Sequence, residues 1–263
     1  SHVITDQATF TFNYGLYYQT PVYQNVYKNT NRSDDPQATF EESAGATIGN
    51  ATMTASRTQS YEFGFNVQVN RNWAFSLMGW VKDMDQLVSA KTYRSGIYTY
   101  QVAANGDYGQ AQGIDFTLQN RGMLVNAMLQ YTYSAAKANG DYDAAAFGTA
   151  YVDAPSQQYL MNFDRPHDLA LSLYSFLPLG INVSMTQFYQ SGFPYTPMKW
   201  NGNTPEEDLF NKNASRSSAW YWANLSFSKH IEFYKFKMAL GLSIYNVFND
   251  RNEVDIYPLT GVV

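Results

Sequence analysis

Cysteine is absent from the 263 residues, so neither a disulfide framework nor a thiolate metal site can be built. Charge is scarce. Asp, Glu, Lys and Arg make up 15% of the chain, against about a quarter in soluble proteins. The formal net charge of -5 makes phosphate-backbone binding, and hence nucleic acid as a partner, a poor fit. No stretch approaches the roughly 20 apolar residues of a membrane helix. Leu169 to Leu179 comes nearest and is interrupted by Ser and Tyr. The opening Ser1-His2-Val3 carries no basic or apolar leader.

Aromatics are plentiful: 22 Tyr, 17 Phe and 5 Trp, or 17% of residues. A chain this poor in charge and this rich in Tyr is expected to meet a second solvent over part of its surface. The dominant pattern is alternation of period two, the mark of strands with one apolar face. In Ser60 to Asn70, Tyr61, Phe63, Phe65, Val67 and Val69 oppose Glu62, Gly64, Asn66 and Gln68. Thr9 to Gln19 and Met123 to Ser134 repeat the pattern. Noisier strands are expected near 73–89, 97–119, 167–176, 181–190, 219–230 and 235–248. The Asn105-Gly106 pair suits a hairpin turn, but a bulge within one long strand is the preferred reading.

Connections alternate in length. Asn70-Arg71-Asn72, Asn120-Arg121-Gly122, Pro178-Leu179-Gly180 and the region of His230 to Tyr234 are short. The segments near 20–57, 136–165 and 191–218 are long and polar. Short turns at one rim and long loops at the other are the habit of an outer-membrane barrel, the short turns periplasmic and the long loops extracellular. Strands of about ten residues exceed the usual 5–6 of a soluble sandwich. The polar face is Ser, Thr, Asn, Gln and Gly, which suits a hydrated lumen. Tyr17, Tyr18, Trp73, Tyr131, Tyr133, Trp220 and Tyr221, near strand ends, suit aromatic girdles. The expected fold is therefore all-β, an antiparallel up-and-down transmembrane β-barrel. About nine strands are counted. Single-chain bacterial barrels have even numbers, and an open edge in lipid leaves backbone groups unpaired. Either a strand is missed in the count or strands lie outside this sequence.

Several phrases, in order, resemble the C-terminal half of TonB-dependent outer-membrane receptors. They are Arg57 to Gly64, Trp80 to Val88, Gly113-Ile114-Asp115-Phe116 and Tyr131 to Lys137. Asp164-Arg165-Pro166-His167, Gln190 to Pro197 and Tyr245 to Asn252 follow. The resemblance implies a 22-stranded barrel holding an N-terminal plug, of which this chain would be about nine strands, the thirteenth to the twenty-first. On that reading residues 1–263 are the C-terminal part of the barrel. The plug, its energy-coupling box, the first barrel half and the terminal strand are absent from the sequence. The implied partners are outer-membrane lipid, the remainder of the barrel, the plug and, through the plug, the TonB energy-coupling complex. The implied activity is uptake of a scarce nutrient across the outer membrane of a Gram-negative bacterium.

The residues themselves offer little catalysis. His167 begins a strand beside Asp168, while Ser172 stands at an odd offset and faces away, so no Ser-His pairing is expected. His230 sits at a short turn, and the histidines read as rim residues with no catalytic role. Asp34-Asp35, Glu41-Glu42 and Glu206-Glu207-Asp208 lie in loops without EF-hand spacing, which favours solvated charge over Ca²⁺. Three Asn-x-Ser/Thr triplets, beginning at Asn31, Asn50 and Asn213, are uninformative. No catalytic residue, metal or cofactor is expected. The functional candidates are the lumen-facing Glu62, Asn66, Gln68, Lys82, Asp115 and Gln130, weighed against a plain hydrated wall or plug contact. Loop aromatics Tyr142, Phe147, Phe193, Tyr195 and Trp200 are candidates for a substrate platform or for loop packing. A passive porin, a barrel hydrolase and a soluble β-sandwich adhesin remain as rival readings.

Overall fold

The computed structural model describes residues 2–30, 47–95, 98–139 and 157–261. Its main sheet is an antiparallel meander in which each strand pairs with the next. Ten strands form the path. They are β1 (His2–Thr5), β2 (Ala8–Gln19), β3 (Ser56–Gln68), β4 (Trp73–Ser95) and β5 (Tyr98–Arg121), then β6 (Val125–Ala138), β7 (His167–Leu177), β8 (Ile181–Gln190), β9 (Trp220–Phe233) and β10 (Phe236–Ile244). The nine expected strands are β2 to β10. The tenth, β1, has four residues paired to β2 across the Asp6-Gln7 turn. Four residues are too few for alternation to register, so the count of nine was one short.

The sheet does not close. β1 and β10 are its two ends and do not pair with each other. The turns at one rim are tight: Asn70 Oδ1 accepts from the backbone N–H groups of Asn72 and Trp73 at 2.9 and 3.0 Å. At the opposite rim β4 and β5 run to 23 and 24 residues and form a hairpin well beyond their neighbours. The β5 strand is continuous through Asn105-Gly106, and the ladder slips register between Met84 and Val88. This is the expected bulge, with Gln86 at a φ of 53°. Asn105 anchors it, donating to the carbonyls of Thr54 and Gln86 at 2.9 and 2.8 Å. Thr47–Ile48 adds a parallel pair to β5 at Gln101 and Val102, covering that hairpin.

The register fixes the two faces. Phe10, Phe65, Leu77, Phe116, Tyr131 and Leu169 form one transverse row from β2 to β7. Phe12, Phe63, Gly79, Ile114, Tyr133 and His167 form the next. Phe12 is 58% exposed, Phe63 51% and Ile114 50%. Among the described residues the buried apolar side chains are few: Ile48, Ala103, Ala138, Pro194, Ala223 and Ile256. A sandwich would bury such rows against a second layer. Here they form an outward face, stable only against an apolar solvent. Trp73, Tyr18, Tyr131, Tyr133 and Tyr221 lie on this face. Tyr17 and Trp220 do not: they share the polar face, paired with Thr58 and Gln190. Being near a strand end did not decide the side; the parity of the position did.

Candidate functional site

The polar face carries five of the six expected wall residues as free or networked groups. Asn66, Ser76, Thr117 and Gln130 form one transverse row from β3 to β6. Asn66 and Gln130 stand exposed in it. One level nearer the long-loop rim, Met78, Asp115, Thr132, Asp168, Gln190 and Trp220 form the next row. Asp115 is held from two sides, by Trp80 Nε1 at 2.9 Å and Thr132 Oγ1 at 2.7 Å. Gly113 makes this possible. A Cβ there would lie 2.6 Å from Cζ2 of Trp80, so only glycine lets the indole lie over the neighbouring strand and reach the carboxylate. Lys82 Nζ sits 5.4 Å from the Trp80 ring centroid. Glu62 accepts from Ser60 Oγ at 3.2 Å and more loosely from Asn13 Nδ2 at 3.5 Å.

Glu62, Lys82 and Asp115 thus gather around Trp80, a grouping that separate strands did not reveal. Gln68 is different. It donates to the carbonyls of Asn70 and Trp73 and holds the short turn. Asp168 was not among the candidates, yet it shares the Asp115 row and accepts from Gln190 Nε2 at 2.7 Å. Its strand parity, the same as that of Ser172, was the available signal. His167 points to the other face, where its Nδ1 lies 2.8 Å from the Tyr131 hydroxyl. Ser191 Oγ accepts from the His167 backbone N–H at 3.0 Å, and among the described residues no serine hydroxyl is bonded to the His167 ring.

The long-loop rim is tied by a buried clasp. The Asp164 side chain is 1% exposed and pairs with Arg216 Nη2. Arg216 Nη1 donates to the carbonyls of Asp164 and Gly192 at 2.9 and 3.2 Å. Asp164 Oδ1 also accepts from the Ala136 N–H at 2.6 Å. Asn213 Nδ2 donates to the Leu160 carbonyl at 2.6 Å and Asn162 Oδ1 at 2.7 Å. Arg165 lies 4.6 Å from the Trp220 ring centroid and donates to the Ser191 carbonyl. Two connections, before β7 and before β9, are thereby fixed to one another. Phe193 sits at the base of this arrangement, its N–H donating to Ser217 Oγ at 3.0 Å. Tyr195 pairs with Ser215 in a two-residue ladder beside it. Trp200 is apart, 62% exposed on the hairpin Met198–Asn201 and Thr204–Glu207. Tyr142, Phe147, Asp34-Asp35 and Glu41-Glu42 lie outside the described residues. Asp208 bonds Lys199 Nζ and Asn211 Nδ2, each at 2.8 Å. Among the described residues no cluster of three or more His, Asp or Glu is placed to hold a metal ion.

No family model and no curated protein matches the sequence. Solved structures do match the fold. The outer membrane transporter YddB from Escherichia coli aligns over 95% of this chain and 36% of its own, at 11% identity and a TM-score of 0.62. The FrpB iron transporter from Neisseria meningitidis aligns over 94% and 34%, at 12% identity and a TM-score of 0.60. The ferric enterobactin receptor from Pseudomonas aeruginosa, in complex with enterobactin, aligns over 95% and 34%, at 14% identity and a TM-score of 0.59. The fold matches the β-barrel wall of these outer-membrane transporters and receptors. The chain spans about a third of the length of the structures it matches. In that wall the row of Asp115 and Asp168 stands on the polar side. The clasp of Asp164 and Arg216 stands at the rim that carries the long loops.

Proposed function

We propose that this chain forms part of the wall and external loops of an outer-membrane receptor that takes up a scarce nutrient, driven through the TonB complex. The observation that carries the reading is the open ten-strand meander with one lipid-compatible face and one polar face. Each end strand would need a further partner in lipid, because every unpaired backbone group there costs several kcal/mol. A wall of ten strands is also narrower than a plug requires, since barrel diameter grows with strand number. The rest of the barrel, and a plug within it, would therefore come from sequence beyond this chain. The apolar rows, which have no second layer to pack on among the described residues, support placement in the outer membrane. Glu62, Asn66, Lys82, Asp115 and Gln130 would face the lumen. Trp200 and the residues around Phe193 and Tyr195 would face the medium and contribute substrate contacts.

The test is made on the full-length protein. A strain lacking it is grown with one nutrient limiting at a time, with and without a functional TonB complex. Uptake of one nutrient that needs both supports the reading. Steady ion conductance by the purified protein in a planar bilayer, with uptake indifferent to the TonB complex, points instead to a passive porin.

A further inference from the structure

The apolar face holds one cation in an unusual setting. Near the short turns Leu177 to Ile181 and Phe233 to Phe236, strands β8, β9 and β10 bear a shallow, open groove of about 270 Å³. Its walls are Ile181, Phe227, Leu240 and Leu242, and at its lower end lies Lys229. Ile181, Lys229 and Leu240 form one transverse row, and Val183, Phe227 and Leu242 the row above. Below them Ile231 faces Met238 and Phe233 faces Phe236. Lys229 is half-buried, and no ion pair reaches it among the described residues. The nearby acid, Glu232, has the opposite strand parity and pairs with Lys237 at 3.1 Å. Lys235, at the same rim, lies 5.6 Å from the Tyr234 ring centroid.

A lysine on a lipid-facing strand is costly at mid-depth and close to neutral only near an interface. Lys229 stands beside Ile181, the first residue after a short turn, so its four-carbon stem can cross the apolar row and bring the ammonium to headgroup level. An apolar groove ending in an unpaired cation matches an acyl chain ending in a phosphate. We propose that this groove binds a glycerophospholipid with an anionic headgroup, its chain between Phe227, Leu240 and Leu242 and its phosphate on Lys229. The rim is the one with short turns, which a barrel sets on the periplasmic side. The occupant is therefore a phospholipid of the inner leaflet and not the glycolipid of the outer one. The proposal rests on reading the sheet as an outer-membrane wall.

The experiment uses the full-length receptor, stripped of lipid in detergent and titrated with dioleoyl phosphatidylglycerol under native mass spectrometry. The expected result is retention of this lipid in preference to phosphatidylethanolamine. Lys229→Gln should weaken it about tenfold, equivalent to about 1.4 kcal/mol. Lys229→Arg should keep it, and Lys237→Gln should leave it unchanged. Leu240→Trp, which fills the groove, should lower retention with the cation still present. Equal retention by wild type and Lys229→Gln overturns the proposal, as does indifference to Leu240→Trp. Preferential retention of lipid A, or displacement by inorganic phosphate at the same concentration, also overturns it. Heat-shifted gel mobility of each variant reports folding. A receptor that folds into bilayers yet retains no phospholipid refutes this site alone, whereas one that never inserts refutes the wall itself.

Discussion

Arginine at Phe65 is the sharpest test of which face meets lipid. A strand residue rises about 3.4 Å, and a tilt near 45° leaves about 2.4 Å of height per residue. The apolar band of a barrel is about 25 Å tall, so about ten residues cross it. The polar Gln59 of β3 and Asn70, just past the end of that strand, bound the stretch, and its midpoint falls close to Phe65. The Phe65 ring lies 5.0 Å from that of Phe10 and faces Leu77 across the ladder. Phe65→Arg therefore places a charge near the midplane, at about 2–4 kcal/mol, and gives up an aromatic pair worth about 0.5–1.5 kcal/mol. Asn66 is exposed on the polar face, and Asn66→Arg should cost no more than about 0.5 kcal/mol, as at other surface sites. The assay is urea-dependent folding of the full-length protein into phospholipid vesicles, read by heat-shifted mobility and tryptophan fluorescence. Equal costs, or a larger cost at Asn66, would refute the assignment of faces.

Other expectations are as direct. Asp164→Asn and Arg216→Met should each loosen the clasp, by about 3–5 kcal/mol where the partner charge stays buried. Faster proteolysis of the connections before β7 and β9 would show it, with the wall still intact. Gly113→Val should displace the Trp80 indole and break its bond to Asp115, so tryptophan emission shifts while insertion persists. Trp200 and its hairpin should be reached by protease or antibody on intact cells. Access to the 120–122 turn in preference to that hairpin would invert the topology. Lys199 and then Asn211 hold the Asp208 carboxyl below its ordinary 3.8. Its contribution to holding the 198–208 segment is full above that pH and is lost as pH falls through the lowered value. Hydrogen exchange of the segment at decreasing pH should show this, with Lys199→Ala opening it at a higher pH.

Most of the wall was legible in the sequence, because membrane strands are long and one face must stay apolar over their whole length. Tyr61 to Val69 gives the facing without any knowledge of neighbours. The pattern fails where strands are short, as in His2–Thr5, and where position and parity conflict, as for Tyr17 and Trp220. The site was only partly legible. Glu62, Lys82 and Asp115 could be assigned to a face, but their convergence on Trp80 depends on register between strands that are tens of residues apart. The clasp was invisible for the same reason: Asp164 and Arg216 are joined by a loop geometry that no periodicity encodes.

The irregularity between Met84 and Val88 has an evolutionary consequence. Beyond it, β4 and β5 continue for eight residues each, from Val88 to Ser95 and from Tyr98 to Asn105, which at about 2.4–3.4 Å per residue carries the hairpin about 19–27 Å past the bulge. On the reading of the sheet as an outer-membrane wall, this hairpin would stand among the external loops. In an uninterrupted ladder a one-residue slip would turn every side chain below it to the wrong face. The bulge absorbs such a slip. The hairpin can therefore gain, lose or exchange residues while the strands beneath it keep their allegiance to lipid and water.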